Sequence, residues 1–160
     1  MKPITPCLWF ADNRGEEAAA FYTELFPDSR IIDIARYGPG SPGPEGQVMT
    51  VDFELGGRPF LALNGGPEPG FHFSEAISFQ VFCDSQQEVD RYWAAFGEGG
   101  EPGPCGWIKD RFGLSWQVVP TRLPELLQDP DREKSQRVMA AMMKMGKLEI
   151  VGLEAAASAG

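Results

Sequence analysis

The residues whose types could do chemistry are few, and their spacing excludes more than it proposes. The chain has one histidine, His72. It lies in a Gly/Pro-rich stretch and reads as a solvated loop side chain, so a histidine-based metal site, a Ser-His-Asp triad and a Cys-His pair are all poorly supported. Three cysteines, Cys7, Cys83 and Cys105, are an odd number without metal-like spacing. Cys105 sits between Pro104 and Gly106 with the cations Lys109 and Arg111 nearby, a setting for a reactive thiol. No general base accompanies it, so it reads as an ordinary loop cysteine. Asp110 and Arg111 are also chemically capable, but an Asp opening the run from Asp110 to Gly113 has a structural role as the first residue of a β-turn.

The elements that must position any site form a unit that occurs twice. An apolar strand runs over residues 4–11 and ends at Asp12, and a second runs over residues 77–83 and ends at Asp84. Each is followed by a helical pattern carrying an aromatic pair, Phe21-Tyr22 and then Tyr92-Trp93. The Asp residues lie 72 apart and the aromatic pairs 71 apart, too long a period for a solenoid. Asn13 with Glu16, and Ser85 with Glu88, read as capping boxes. Ala18, Phe21, Tyr22 and Leu25 share one helical face, as do Val89, Tyr92, Trp93 and Phe96.

After the first helix, residues 30–37 read as a strand. Residues 48–55 alternate, with Met49, Val51, Phe53 and Leu55 on one face and Thr50, Asp52 and Glu54 on the other. Gly56 and Gly57 turn the chain into a further strand over 59–63. The Gly/Pro-rich run 38–46 reads as a connection rather than a lid. In the second copy, residues 107–109 and 114–119 form a hairpin around the turn from Asp110 to Gly113. Beyond Pro120, a helix over 131–145 with Val138, Ala141, Met142 and Met145 on one side stops at Gly146. A short helix over 149–159 turns Ile150 and Leu153 inward. This tail has too small an apolar face to stand alone, and packs on the sheet or on a partner chain. The chain therefore divides into a first module at 1–66, a second at 67–121 and a helical extension at 122–160, within one structural domain.

Composition narrows the partners. The 160 residues are 42% hydrophobic and 23% charged, with a formal net charge of −9. That is the range of soluble globular chains. The negative balance argues against nucleic acid, whose phosphates need a basic surface. It also leaves attraction of an anionic ligand to local Lys or Arg groups. No apolar run reaches the ~20 residues of a membrane span, and residues 1–4 lack a secretory signal's apolar stretch. With unpaired thiols, the expected setting is the reducing cytoplasm.

Four stretches carry a family resemblance: FLALNGG at 60–66, EAISF at 75–79, CGWIKDRFGLSWQVVP at 105–120 and VMAAMMKM at 138–145. Together with the order strand-helix-strand-strand-strand twice over, they resemble the PhnB-like group of the vicinal-oxygen-chelate superfamily, to which glyoxalase I and the bleomycin-resistance proteins belong. That group carries the family name 3-demethylubiquinone-9 3-methyltransferase. The resemblance covers about residues 3–120. It implies an α+β fold of two βαβββ modules of the glyoxalase/bleomycin-resistance/dioxygenase type, here with C-terminal helices. It also implies a small-molecule pocket on concave sheets, and a homodimer.

Metal-using members of the superfamily place His on the first strand and Glu on the last strand of each module. On this chain the His positions fall on Thr5 and Ser78. The second-module Glu position falls on Gln117, and the first-module one near residues 61–64. None is a carboxylate or imidazole, and neutral groups hold a catalytic divalent ion poorly. The resemblance therefore points to no metal and no cofactor. Thr5, Ser78, Gln80 and Gln117, with Asn64, are expected to line a pocket as hydrogen-bonding groups, with Trp9, Phe82 and Trp107 as apolar walls. No catalytic residue is assigned and the ligand is not identified. Two alternatives stand beside a binding protein: an enzyme of the same fold acting on a small oxygenated metabolite (lyase, isomerase or dioxygenase type), and a methyltransferase as the family name says. Against the latter, the Gly-rich run 38–46 holds three prolines and precedes no helix, unlike a cofactor-binding turn.

Overall fold

The computed structural model describes residues 4–68 and 70–159. The chain forms two compact units, Met1–His72 and Phe73–Gly160. The first unit contains β1 (Cys7–Trp9), α1 (Gly15–Leu25), β2 (Arg30–Arg36), β3 (Val48–Leu55) and β4 (Arg58–Leu63). The second contains β5 (Phe79–Cys83), α2 (Gln86–Gly97), β6 (Glu101–Pro102), β7 (Trp107–Lys109) and β8 (Ser115–Pro120), followed by α3 (Arg122–Leu127), α4 (Arg132–Met142) and α5 (Ile150–Ser158).

Each unit has a four-stranded sheet with the same plan, β1-β4-β3-β2 and β5-β8-β7-β6. In each, the first strand pairs parallel with the last, Cys7 opposite Leu61 and Gln80 opposite Gln117. The other pairs are antiparallel. The fold is thus α+β, two βαβββ repeats with added helices, as the order of elements predicts.

Alternation sends one side chain in two toward the helix. In the first unit, Leu8, Val51, Phe53, Phe60 and Ala62 are buried with Ala18, Ala19, Tyr22 and Leu25 of α1. Tyr22 stacks on Phe53 at 6.4 Å and Phe53 on Phe60 at 5.5 Å. In the second, Val89, Tyr92 and Phe96 of α2 are buried with Val81, Cys83, Trp116 and Val118, and Phe96 stacks on Trp116 at 4.7 Å. Burying each large side chain contributes roughly 1.5–3 kcal/mol.

The helix starts differ from the sequence expectation. Asn13 caps nothing: it has a left-handed φ of 60°, and the helix begins at Gly15 after Arg14. The Gly15 N–H is instead met by Asn64 Oδ1 at 2.8 Å. Ser85 does cap α2, its Oγ accepting from the Glu88 N–H at 3.2 Å. Glu88 returns to the Asp84 N–H at 2.7 Å rather than to Ser85. The strand expected over 4–11 is regular only at Cys7–Trp9, and α4 ends at Met142, short of Gly146.

The C-terminal helices complete the second unit. Val119 of β8 joins Leu123, Leu126, Val138, Leu148, Leu153 and Ala157 in one core cluster, with Leu127, Met142 and Met145 against it. The backbone ties are specific: Cys105 N–H to Met145 O and Gly106 N–H to Gly146 O, both 2.7 Å. Gly106 has φ of 83°, and a Cβ there would meet Val118 O at 2.7 Å. Only glycine lets this segment approach so closely.

Candidate functional site

In the second unit, the face of the sheet turned away from α2 carries the polar row. Ser78 precedes β5, and Gln80 lies opposite Gln117, which lies opposite Trp107. Gln117 Nε2 donates to Ser78 Oγ at 2.8 Å, and Gln80 Nε2 donates to Gln117 Oε1 at 3.3 Å. The structure therefore brings Ser78, Gln80, Gln117 and Trp107 onto one face. Phe82 follows Gln80 by two residues on the same strand and is 55% exposed. Trp116 points the other way: it is 3% exposed, and its Nε1 donates to Asp110 Oδ2 at 2.8 Å.

The same register extends to Lys109 opposite Ser115, and to Glu101 opposite Lys109. These residues border a cleft of about 390 Å³ with Glu75, Pro102, Gly103, Pro104, Trp107 and Ile108. Lys109 Nζ pairs with Glu75 Oε1 at 2.6 Å. That bond comes first among the causes that raise the Lys109 pKa, with the charges of Glu75 and Glu101 adding to it, and first among those that lower the Glu75 pKa. Ser115 is 1% exposed, and its Oγ has no hydrogen-bond partner among the described residues. Sequence reasoning passed over Glu75 and Ser115 and weighed Lys109 only as a neighbour of Cys105. The signal for Ser115 was its place two residues before Gln117 on an alternating strand.

The first unit places its candidates otherwise. Thr5 is exposed and lies before β1, not within it. Trp9 is covered by its own chain: Nε1 donates to Gly66 O at 3.1 Å, and Phe71 meets the ring edge-on at 5.0 Å. Asn64 is a correction. It is 4% exposed, faces α1, and spends its amide on the fold, with Oδ1 accepting from Gly15 N–H and Nδ2 donating to Val48 O at 3.1 Å. A residue that holds a helix start and a strand end in this way does not line a pocket. His72 is exposed.

The remaining reactive types are structural. Asp110 is 3% exposed, and its Oδ1 accepts from the N–H groups of Phe112 at 2.9 Å and Leu114 at 3.1 Å. Cys83 is buried, and burial first, then Glu88 and Asp84, push its thiol up to about 12. Cys105 donates to Met143 Sδ at 3.7 Å. Lys109, one of the two cations near it in sequence, is engaged by Glu75. Among the described residues no group of three or more His, Cys, Asp or Glu is placed to hold a metal ion. The donors at the expected ligand positions are a hydroxyl and a carboxamide that bond to each other, a poor fit for a catalytic divalent ion. No helix among the described residues is long and apolar enough to cross a membrane.

Two βαβββ sheets of one plan, each with an open face opposite its helix, define the architecture of the glyoxalase/bleomycin-resistance superfamily. Within it, the chain belongs to the PhnB-like family described as 3-demethylubiquinone-9 3-methyltransferase, whose pattern it matches over residues 2–119. A PhnB protein from Bacillus cereus that carries this methyltransferase name is 32% identical, with a TM-score of 0.67 over 75% of this chain and 100% of that one. Two further structures share the fold. A Pseudomonas aeruginosa protein is 24% identical, with a TM-score of 0.62 over 75% of this chain and 98% of its own. The fosfomycin resistance protein FosX from Mesorhizobium loti is 15% identical, with a TM-score of 0.54 over 80% of this chain and 98% of its own. No curated protein matches the chain.

Proposed function

We propose that this chain is a small-molecule-binding protein that receives its ligand on the open face of the second sheet, through hydrogen bonds rather than through a divalent ion. The observation that carries this reading is the Gln117 carboxamide, held between Ser78 and Gln80 at a position where metal-using relatives of this fold present a carboxylate. A carboxamide fixed at both ends offers a ligand its remaining donor and acceptor sites in a defined orientation. Trp107 beside it supplies an apolar surface. The Gly-rich run 38–46 joins antiparallel β2 and β3, and Gly43 packs on the Tyr37 ring. It lacks the parallel strand and following helix of a nucleotide-type cofactor turn. We further read the protein as a homodimer, because Ile77 and Phe82 remain 69% and 55% exposed beside the polar row and a second copy is the simplest cover. Its free cysteines Cys7, Cys83 and Cys105 suit a reducing cytoplasm.

Elemental analysis after dialysis at neutral pH should find no stoichiometric divalent ion. One tightly held Zn, Ni, Fe or Mn per chain would favour an enzyme of the same fold instead. A fragment set, read by amide NMR shifts, should contain molecules that move Ser78, Gln80 and Gln117 together. Gln117→Leu should keep the fold and weaken those molecules by ~1–3 kcal/mol, the loss expected for an unmet polar partner. Light scattering should give twice the chain mass; a species of 17.6 kDa at micromolar concentration would remove the homodimer.

A further inference from the structure

The cleft beside the polar row holds three features that do not serve the fold. Ser115 lines the cleft, and its Oγ sits just beneath the wall, shielded from solvent and without a partner among the described residues. A buried hydroxyl in that state is costly and uncommon. Lys109 stands opposite it in register, and its ammonium is held by Glu75, whose side chain is 60% exposed. An ion pair that exposed contributes little to stability. Pro102, Pro104 and Trp107 supply apolar wall, and Glu101 a second carboxylate at the border.

We infer that this cleft binds a small organic monocarboxylate with a flat apolar body. The inference rests on the reading of the second unit as a small-molecule receptor and names the ligand class. One carboxylate oxygen takes the Lys109 ammonium in place of Glu75, and the other accepts the Ser115 hydroxyl proton. The body lies along Trp107 between the prolines. Glu75 moves to water, where its exposed side chain already largely sits. The exchange replaces one carboxylate by another, so the bound state gains the Ser115 hydrogen bond without stranding a charge. The charge count sets the class. Among the described residues Lys109 is the only cation on the cleft wall; Glu75 bonds its ammonium and the charge of Glu101 also acts on it. A phosphate dianion would bring two negative charges to a site with one positive one. A neutral ligand would leave Lys109 with Glu75 and take only the serine. The volume of about 390 Å³ suits a ligand of this size.

The test uses the full chain, amide NMR and three probes of one shape: benzoate, the neutral benzamide and the dianionic phenyl phosphate. Benzoate is expected to shift Trp107, Lys109 and Ser115 saturably, with the other two at least tenfold weaker. Lys109→Met should erase the preference for benzoate over benzamide. Ser115→Ala should weaken benzoate at least threefold while the melting temperature holds. Glu75→Gln should tighten benzoate severalfold, because it removes the internal competitor; a purely structural ion pair would give no such gain. The inference is overturned if benzamide or phenyl phosphate equals benzoate at these residues, if Glu75→Gln leaves affinity unchanged or weaker, or if benzoate moves nothing in the cleft. Should fragments still move Ser78, Gln80 and Gln117 while no acid selects the cleft, the ligand class fails and the binding function stands. Should nothing perturb either set of residues, both fail.

Discussion

In the first unit, the sheet face turned from the helix carries Cys7, Trp9, Leu61 and Leu63, with Asp33 opposite Asp52 on the neighbouring strands. In the second, the corresponding face carries Ser78, Gln80, Trp107, Lys109, Ser115 and Gln117. The helix-facing sides show no such divergence. Each stacks a helix Tyr in an aromatic column, Tyr22 with Phe53 and Phe60, and Tyr92 with Phe96 and Trp116. The contrast teaches where duplication leaves freedom. A side chain between sheet and helix is constrained by volume, and core packing tolerates little change. A side chain on the open face is constrained only by what lands there. The first copy closes Trp9 against its own linker, whereas the second leaves Trp107 on a cleft.

The turns before the last strands offer the strongest way to break this comparison. In the second unit the turn is fastened by Asp110, which accepts from Phe112, Leu114 and Trp116. In the first it is a glycine pair, Gly56 and Gly57, both at positive φ, tied only through their own N–H groups, Gly56 to Ser29 Oγ at 3.0 Å and Gly57 to Asp28 O at 3.1 Å. Asp110→Ala should therefore cost about 3–5 kcal/mol in urea unfolding, since three donors lose their acceptor at once. Gly57→Ala should cost only about 1 kcal/mol, for its left-handed φ. Equal losses would mean that Asp110 is not the fastening we describe.

A smaller effect separates the helix starts. Asn64→Ala leaves the Gly15 N–H and Val48 O without their partner and should cost about 2 kcal/mol. Ser85→Ala removes an exposed cap worth about 1 kcal/mol. The reverse ranking would place Asn64 outside the fold and return it to the pocket set.

The smallest effect is absent at neutral pH. Cys7 is exposed and Cys83 is buried, so alkylation of the native protein at pH 8 should label Cys7 and spare Cys83. An unfolded thiol ionises near pH ~8.5, while the native Cys83 holds its proton to about 12. Over that window the unfolded state binds fewer protons than the native one. Stability therefore falls as pH rises from ~8.5 toward 12, and is unaffected by this group below it. Cys83→Ala should flatten that alkaline slope, and an unchanged slope would assign it to other groups.

The plan of the fold was legible in the sequence because it rests on short-range patterns. Alternation over Val48–Leu55 gives β3 its buried Val51, Phe53 and Leu55, and the 3.6-residue period gives α1 and α2 their faces. The shared face of the candidate residues in the second unit was legible for the same reason: period two carries Ser78, Gln80 and Gln117 to one side. Asn64 misled, because it reads as one more residue of a strand end, while its role depends on Gly15, which is close only after folding. Ser115 stayed hidden because a serine in a strand carries no sign of whether its hydroxyl will find a partner. Glu75 was unreadable as Lys109's partner, since the pairing spans a connection of irregular backbone.

The parallel pairing of first strand with last also sets an order in time. Cys7 has no neighbour until Leu61 exists, and Phe79 none until Trp116 exists. At a synthesis rate of about 5–20 residues per second, β1 must wait several seconds for the strand beside it. Contacts this distant along the chain are the slow ones to form, so folding is expected on the millisecond-to-second scale of non-local topologies. During that wait the β2-β3-β4 meander can assemble by hairpins alone. β1 then enters as the closing strand, and its shortness, three residues at Cys7–Trp9, leaves little unpaired edge to be captured by another nascent chain.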